Sequence, residues 1–212
     1  MVQNKKDFLL YGISGTTTKR DCVGSVILFL VFLAPTIFVS MGNIVFCILI
    51  PAVYIVGIYK KFDDKGVIKS YNIFLHNGLL AFCLTCTFTI DGLVVLFFLV
   101  PEGYYVLAVG IVLICFGMLF MLYVGLTKYL IKKGGYSKAN KASGRISFIL
   151  MGAAGMSTAR IFTDVLNNQK ALQVLAVCCF FLASLTFLGV FNLYKYYCIK
   201  QDESLLRELR KQ

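Results

Sequence analysis

His76 and Cys83 are the two residues of this chain whose types and spacing could form a catalytic pair. A thiol becomes a nucleophile when a base takes its proton, and histidine can be that base. Residues seven apart on one continuous helix share a face but lie about 10 Å apart along the axis. Direct proton transfer therefore requires a break in the helix, near Asn77 and Gly78.

The stretch "HNGLLAFC", from His76 to Cys83, is similar in order and spacing to the His-Cys pair of the membrane peptidases that process staphylococcal-type quorum-sensing peptides. Those enzymes are also small polytopic proteins. The resemblance covers this stretch alone and implies a thiol peptidase with His76 as base and Cys83 as nucleophile. The lead-in "KSYNIFL" lacks the glycine-rich and basic residues of that family. On the helix geometry we favour the alternative, an interfacial histidine and a buried cysteine.

The chain has eight cysteines, most of them in apolar stretches. Cys83 and Cys86 have the spacing of a redox or zinc motif, but a zinc site needs about four ligands and no second cluster accompanies them. Buried thiols behave as small hydrophobes. We predict neither a metal site nor a cofactor.

Asp91 is the single charged side chain in a long apolar run. A charge in hydrocarbon costs at least ~2.5 kcal/mol on insertion scales, so such side chains usually face the bundle interior and pair with one another. Arg160 and Asp164 lie four positions apart in another apolar segment, and Glu102 lies in a predicted outer loop. We predict that Arg160 pairs with Asp91 across the bundle or with Asp164 along its own helix. These residues and His76 are the candidate polar site.

The stretch "GAAGMSTA" predicts a tightly packed helix. It places Gly152, Gly155 and Ala159 on one helical face, and small residues let helices approach closely in lipid. We expect this helix to be central in the bundle, with Arg160 neutralised by nearby acids. The alternative is a polar pocket that opens outward.

The composition limits the class of protein. Hydrophobic residues make up 59% of the 212 residues and charged residues only 15%, which leaves too few polar side chains to coat a soluble domain of this size. The chain is therefore predicted to be an integral membrane protein whose main environment is the lipid bilayer.

Apolar stretches long enough to cross a bilayer of about 30 Å predict an all-α bundle of about six transmembrane helices, arranged as three successive hairpins. The predicted spans are 22–39, 44–59, 77–100, 104–127, 146–165 and 171–194. An N-terminal segment, 1–21, precedes this domain, and a basic tail, 195–212, predicted to be helical, follows it. The segment 146–165 spans only if it continues past Arg160.

The distribution of lysine and arginine predicts the orientation, because these residues accumulate in short cytoplasmic loops. With six spans, the basic residues fall at both termini, in the loop after the second span and in the loop after the fourth; Arg160 and Lys170 are the exceptions. Both termini are therefore predicted to be cytoplasmic, in a multi-pass protein of the plasma (inner) membrane. The net charge of +11 is then an orientation signal, and we predict no nucleic acid partner.

Three classes of function fit these patterns. Sparse polarity and short loops favour a non-enzymatic protein that acts through intramembrane protein contacts, as an accessory subunit, sensor or immunity-type protein, with a membrane-protein partner or as a homo-oligomer. A small oligomeric transporter or channel would use Asp91 and the pair Arg160 and Asp164. A membrane thiol peptidase would use His76 and Cys83.

Overall fold

The structure is a computed structural model that describes residues 2–11, 16–37, 43–63, 65–68, 71–133, 169–202 and Leu205. The described chain is mostly helical. Three helical stretches are long and apolar enough to cross a membrane: Asn72–Leu99, Glu102–Lys133 and Leu172–Gln201. The predicted span 146–165 lies outside the described residues.

The chain begins with a short helix, α1 (Val2–Leu10), followed by strand β1 (Thr17–Thr18). Strand β1 pairs antiparallel with β2 (Val67–Ile68), and the turn before β2 contains Gly66, which has a positive φ of 71°. Glycine adopts this left-handed conformation at little steric cost. The small sheet holds the start of the helix that follows β1 beside the start of the helix that follows β2.

Helices α2 (Lys19–Ile37) and α3 (Ile44–Tyr59) form the first hairpin. The backbone N–H of Thr18 donates to Asp21 Oδ2 at 2.8 Å, and the N–H of Asp21 donates to Thr18 Oγ1 at 3.3 Å. This reciprocal capping satisfies donors that the first helical turn leaves unpaired, so α2 begins three residues before the predicted span. The bounds of α3 agree with the predicted second span.

Helix α4 (Asn72–Leu99) is the centre of the described bundle. It packs against α2, α3 and the last two helices of the chain. It is continuous and begins five residues before the predicted third span, because Asn72 and His76 belong to its first turns rather than to a preceding loop. The predicted central position of 146–165 stays a prediction, because that segment lies outside the described residues.

A 3-10 turn, Glu102–Tyr104, leads into α5 (Tyr105–Lys133). The hydroxyl of Tyr105 donates to the carbonyl oxygen of Phe97 at 3.1 Å, which fixes the turn between the two helices. Helix α5 continues six residues past the predicted fourth span and has Lys132 and Lys133 in its last turn. Cations are favourable there, because the unpaired carbonyls make a helix C-terminus partly negative.

The last described helices are α6 (Gln169–Phe187) and α7 (Phe191–Gln201), joined by a 3-10 turn, Leu188–Val190. They run antiparallel to α4 at close range. A Cβ at Gly92 would lie 3.0 Å from the Phe180 ring, and one at Gly78 would lie 2.7 Å from Leu193. Glycine permits this separation because it has no side chain.

These directions define two ends of the bundle. The end called here the basic end carries α1, the small sheet, the starts of α2 and α4, and the ends of α3, α5 and α7. The opposite end carries the Glu102–Tyr104 turn and the start of α6. Most described basic residues lie at the basic end; they are Lys6, Lys19, Arg20, Lys60, Lys61, Lys65, Lys128, Lys132, Lys133, Lys195 and Lys200.

Candidate functional site

A buried hydrogen bond between His76 and Tyr54 joins α4 to α3. His76 Nε2 lies 3.1 Å from Tyr54 Oη, and the two rings meet edge to face with centroids 5.8 Å apart. His76 Nδ1 lies 3.3 Å from Asn77 Oδ1. His76 is only 3% exposed. Both ring nitrogens are therefore engaged in the interior of the bundle.

The Tyr54 hydroxyl extends this contact to a third helix, because Cys22 and Ser25 of α2 lie close to it. Three helices thus meet around one hydroxyl group. Such interhelical hydrogen bonds stabilise membrane bundles. Tyr54 is not conspicuous in the sequence, because a tyrosine in an apolar run is typical of the core. The signal that points to it is His76, whose ring nitrogens need hydrogen-bond partners when the residue is buried.

Cys83 and His76 are not brought together. Cys83 Sγ donates to the carbonyl oxygen of Ile50 at 3.7 Å. Helix α4 has no break at Asn77 and Gly78, so the seven-residue separation corresponds to about 10 Å along the axis. The geometry that a His-Cys dyad requires is not formed by these residues.

Asp91, on α4, lies inside the bundle. It is 2% exposed, and its Oδ1 has no hydrogen-bond partner among the described residues. Cys47 of α3 and Cys179 of α6 are close enough to interact electrostatically with the Asp91 carboxyl group. Burying a carboxyl oxygen without a partner is costly, which makes Asp91 a functional candidate.

Five other predicted site residues lie outside the described residues: Arg160, Asp164, Gly152, Gly155 and Ala159. The contact between Asp91 and Arg160 therefore stays a prediction.

Glu102 begins the exposed turn between α4 and α5. Within the described ranges, no group of three or more His, Cys, Asp or Glu side chains could hold a metal ion.

Lys195 is a buried cation. In the sequence it is one of several basic residues that follow the last predicted span. It is 7% exposed, and its Nζ donates to the carbonyl oxygen of Tyr11 at 3.1 Å. The same nitrogen lies 4.7 Å from the ring centroid of Phe8, 5.2 Å from that of Tyr11 and 5.3 Å from that of Phe74. This aromatic cage holds α1 against α4 and α7.

Among the described residues, helix α5 packs less closely against the rest of the bundle than α4 does. In the most apolar stretch of α4, 50% of the residues are buried, whereas in the most apolar stretch that includes α5 only 6% are buried. Toward the basic end, α5 contacts the 187–191 region through aromatic rings: Phe116 and Phe187 lie 5.5 Å apart, and Tyr123 and Phe191 lie 4.1 Å apart. Toward the opposite end, α5 leaves a cleft of about 600 Å³ against α4 and α6.

Helix α5 also carries Gly110, Gly117 and Gly125, which lie within about 80° of one another around the helix axis. We call this surface the glycine face; Gly110 and Gly117 lie opposite the residues that line the cleft. Among the described residues, a Cβ at any of the three would meet no atom within 4 Å, in contrast to Gly78 and Gly92 of α4. Apolar side chains on the same side of the helix are strongly exposed: Val106, before Gly110, is 87% exposed, and Met121 is 73% exposed. The described residues pack against the glycines of α4 but not against those of α5.

Comparisons of this chain with protein-family models, with curated proteins and with solved structures found no match.

Proposed function

We propose that this protein is a six-span plasma (inner) membrane protein that acts by binding another membrane protein, or a second copy of itself, within the bilayer. The three apolar helices support membrane insertion. The other three proposed spans are α2, α3 and 146–165. The function does not require a reaction, and the glycine face is its proposed site.

The ends of the described helices support a crossing between α5 and α6. Lys133 ends α5 at the basic end, whereas Gln169 begins α6 at the opposite end. The 35 positions between them, 134–168, have to connect the two ends of the bundle. A helix needs about 20 residues to do so. With the basic end on the cytoplasmic side, this crossing gives the proposed topology.

The open glycines of α5 are the observation that carries the proposal. Glycine in a helix interior costs about 1 kcal/mol relative to alanine. Gly78 and Gly92 offset this cost by close helix packing inside the chain. Gly110, Gly117 and Gly125 have no such packing among the described residues, so a helix outside the chain is their proposed partner.

Site-specific photocrosslinking in native membranes tests the proposal. A photoreactive residue at Met121 should form an adduct with a discrete protein, whereas one at Ile48 of α3, which is 66% exposed, should not. Gly117→Leu should lower the Met121 adduct at least tenfold. Gly24→Leu is the matched control and should leave the Met121 adduct unchanged, because Gly24 is a single glycine on a different helix, α2, although an added Cβ there also meets no described atom within 4 Å. An adduct that Gly117→Leu leaves unchanged would overturn the proposed site.

A transporter or channel is the second candidate, favoured by the unpartnered Oδ1 of Asp91. The path would pass Asp91 and use Arg160 and Asp164. In proteoliposomes, Asp91→Asn should then abolish cation or proton flux while leaving the Met121 adduct intact. If Gly117→Leu abolished the flux and Asp91→Asn did not, the result would instead favour a protein that acts by binding another membrane protein or a second copy of itself.

A further inference from the structure

We infer that the cleft between α4, α5 and α6 is a binding site for one acyl chain of a membrane lipid. The cleft has a volume of about 600 Å³, within the range of about 300–1,000 Å³ that is typical of small-molecule sites. It lies on the side of α5 away from the glycine face. The inference therefore does not depend on the proposed function.

The wall of the cleft is formed mainly by one stripe of α5. The lining residues of this helix extend from Leu107 to Leu119 and recur every three or four positions, with Tyr104 before them. From Tyr104 to Leu119 the stripe is about 22 Å long at 1.5 Å per residue. It therefore reaches through more than half of a hydrocarbon core of about 30 Å.

The two ends of the cleft differ in exposure and in packing. Pro101 and Tyr104, at the opposite end of the bundle, line its mouth and are exposed. Toward the basic end, Phe116 lines the cleft and lies 5.5 Å from Phe187, and Phe120 lies 5.6 Å from Phe191. These aromatic contacts close the space between α5 and the end of α6. The ligand enters from the leaflet at the opposite end and stops at this closure.

The chemistry of the wall selects a hydrocarbon chain rather than a polar ligand. Ser184 is a polar lining residue, but its hydroxyl already donates to the carbonyl oxygen of Phe180 at 2.8 Å. Most of the other lining side chains are aliphatic or aromatic. A polar group placed here would lose its hydration without gaining a partner, which is unfavourable. The lipid headgroup accordingly stays at the mouth.

The size of the cleft favours an acyl chain over a transmembrane helix. A helix about 10 Å wide and about 30 Å long occupies roughly 2,400 Å³, about four times the volume of the cleft. The aromatic closure also prevents a helix from passing between α5 and α6. One flexible chain fits both limits.

Photolabelling of the purified full-length protein tests the inference. The protein is reconstituted in phosphatidylcholine vesicles that contain a trace of phosphatidylcholine with a diazirine on one acyl chain, and adducts are mapped by mass spectrometry. Adducts should concentrate at least fivefold on the cleft residues Ala108, Ile111 and Cys115 over Leu113 and Ile114 of the opposite face. Equal labelling of both faces would show only the surrounding lipid and would overturn the inference.

Variants that fill the cleft sharpen the test. Ala108→Phe and Ile111→Trp should each reduce cleft adducts about fivefold; Ile111 is half exposed, so its replacement is tolerated even if Ala108→Phe fails to fold. Val106→Phe, on the other side of α5, is the matched control and should leave the adducts unchanged. Cleft adducts unaffected by Ile111→Trp, or crosslinks showing 146–165 or a second copy in the cleft, would contradict a lipid site. Gly117→Leu should leave the cleft adducts intact, which separates this result from failure of the proposed function.

Discussion

His76 Nε2 and Tyr54 Oη lie 3.1 Å apart in the interior of the bundle, although the two residues belong to different helices. Nδ1 of the same histidine lies 3.3 Å from Asn77 Oδ1, and Cys22 and Ser25 lie close to the tyrosine hydroxyl. The contact thus joins α2, α3 and α4 through uncharged groups. These contacts engage both ring nitrogens of His76, the residue whose spacing from Cys83 suggested a catalytic pair.

Tyr54→Phe should destabilise the protein by about 1–3 kcal/mol, because it leaves the buried Nε2 of His76 without its partner. The measurement is the free energy of unfolding in detergent. His76→Leu should cost less in the Tyr54→Phe background than in the wild type, since the shared hydrogen bond is already lost. Tyr59→Phe, an exposed position on the same helix, is the control. Equal losses for Tyr54→Phe and Tyr59→Phe would contradict the structural role.

Lys195→Met should loosen α1, because it removes the hydrogen bond to Tyr11 and the cation from the aromatic cage. Amide hydrogen exchange over residues 2–11 should accelerate about tenfold for each ~1.4 kcal/mol lost. Lys133→Met is the matched control, because Lys133 lies 5.7 Å from the single ring of Tyr129 and is not part of the Lys195 cage. Unchanged exchange in Lys195→Met would show that the cage does not hold the helix.

Cys83→Ser should preserve biological activity, since the thiol contacts a backbone carbonyl and not His76. The serine hydroxyl can donate to the same oxygen. The test compares activity at equal membrane abundance. Near-complete loss of activity would instead favour the thiol peptidase.

Asp91 and Arg160 are predicted to be energetically coupled, because Asp91 is buried, its Oδ1 has no partner within the described part of the chain, and the carboxyl group needs a counter-charge or a proton. Asp91→Leu and Arg160→Leu should each lower folded abundance, and the double variant should recover part of the loss. Repeating the cycle with Asp164→Asn should enlarge the coupling, since it removes the local alternative for Arg160. Strictly additive effects in both backgrounds would mean that the charges do not meet and would strengthen the transport candidate.

Cysteine labelling on a background without native thiols tests the topology. Positions 138 and 200 should react only from the cytoplasm, and position 170 only from outside, because basic residues favour the cytoplasmic side. Labelling of position 200 from outside would contradict the proposed orientation.

The apolar helices and the segregation of charge could be predicted from the sequence, because hydrophobic length and loop charge are local properties. The predicted bounds of α3 agree with the structure, and the candidate spans within the described chain support a membrane protein. The ends of α2, α4 and α5 differ from the prediction. Capping by Asp21 extends the start of α2, and the burial of His76 extends the start of α4. Lysines are favourable at a helix C-terminus, so α5 continues past its apolar stretch.

The partners of the polar side chains were decided only by the tertiary structure. Nothing local in the sequence indicates that Tyr54 meets His76 or that Lys195 enters a cage of Phe8, Tyr11 and Phe74. Such contacts depend on which helices become neighbours and on how each is rotated. The glycines show the same limit. Those of α4 and α5 look alike in sequence, yet among the described residues only Gly78 and Gly92 of α4 lie close to a neighbouring helix, because α4 packs against more of the described helices than α5 does.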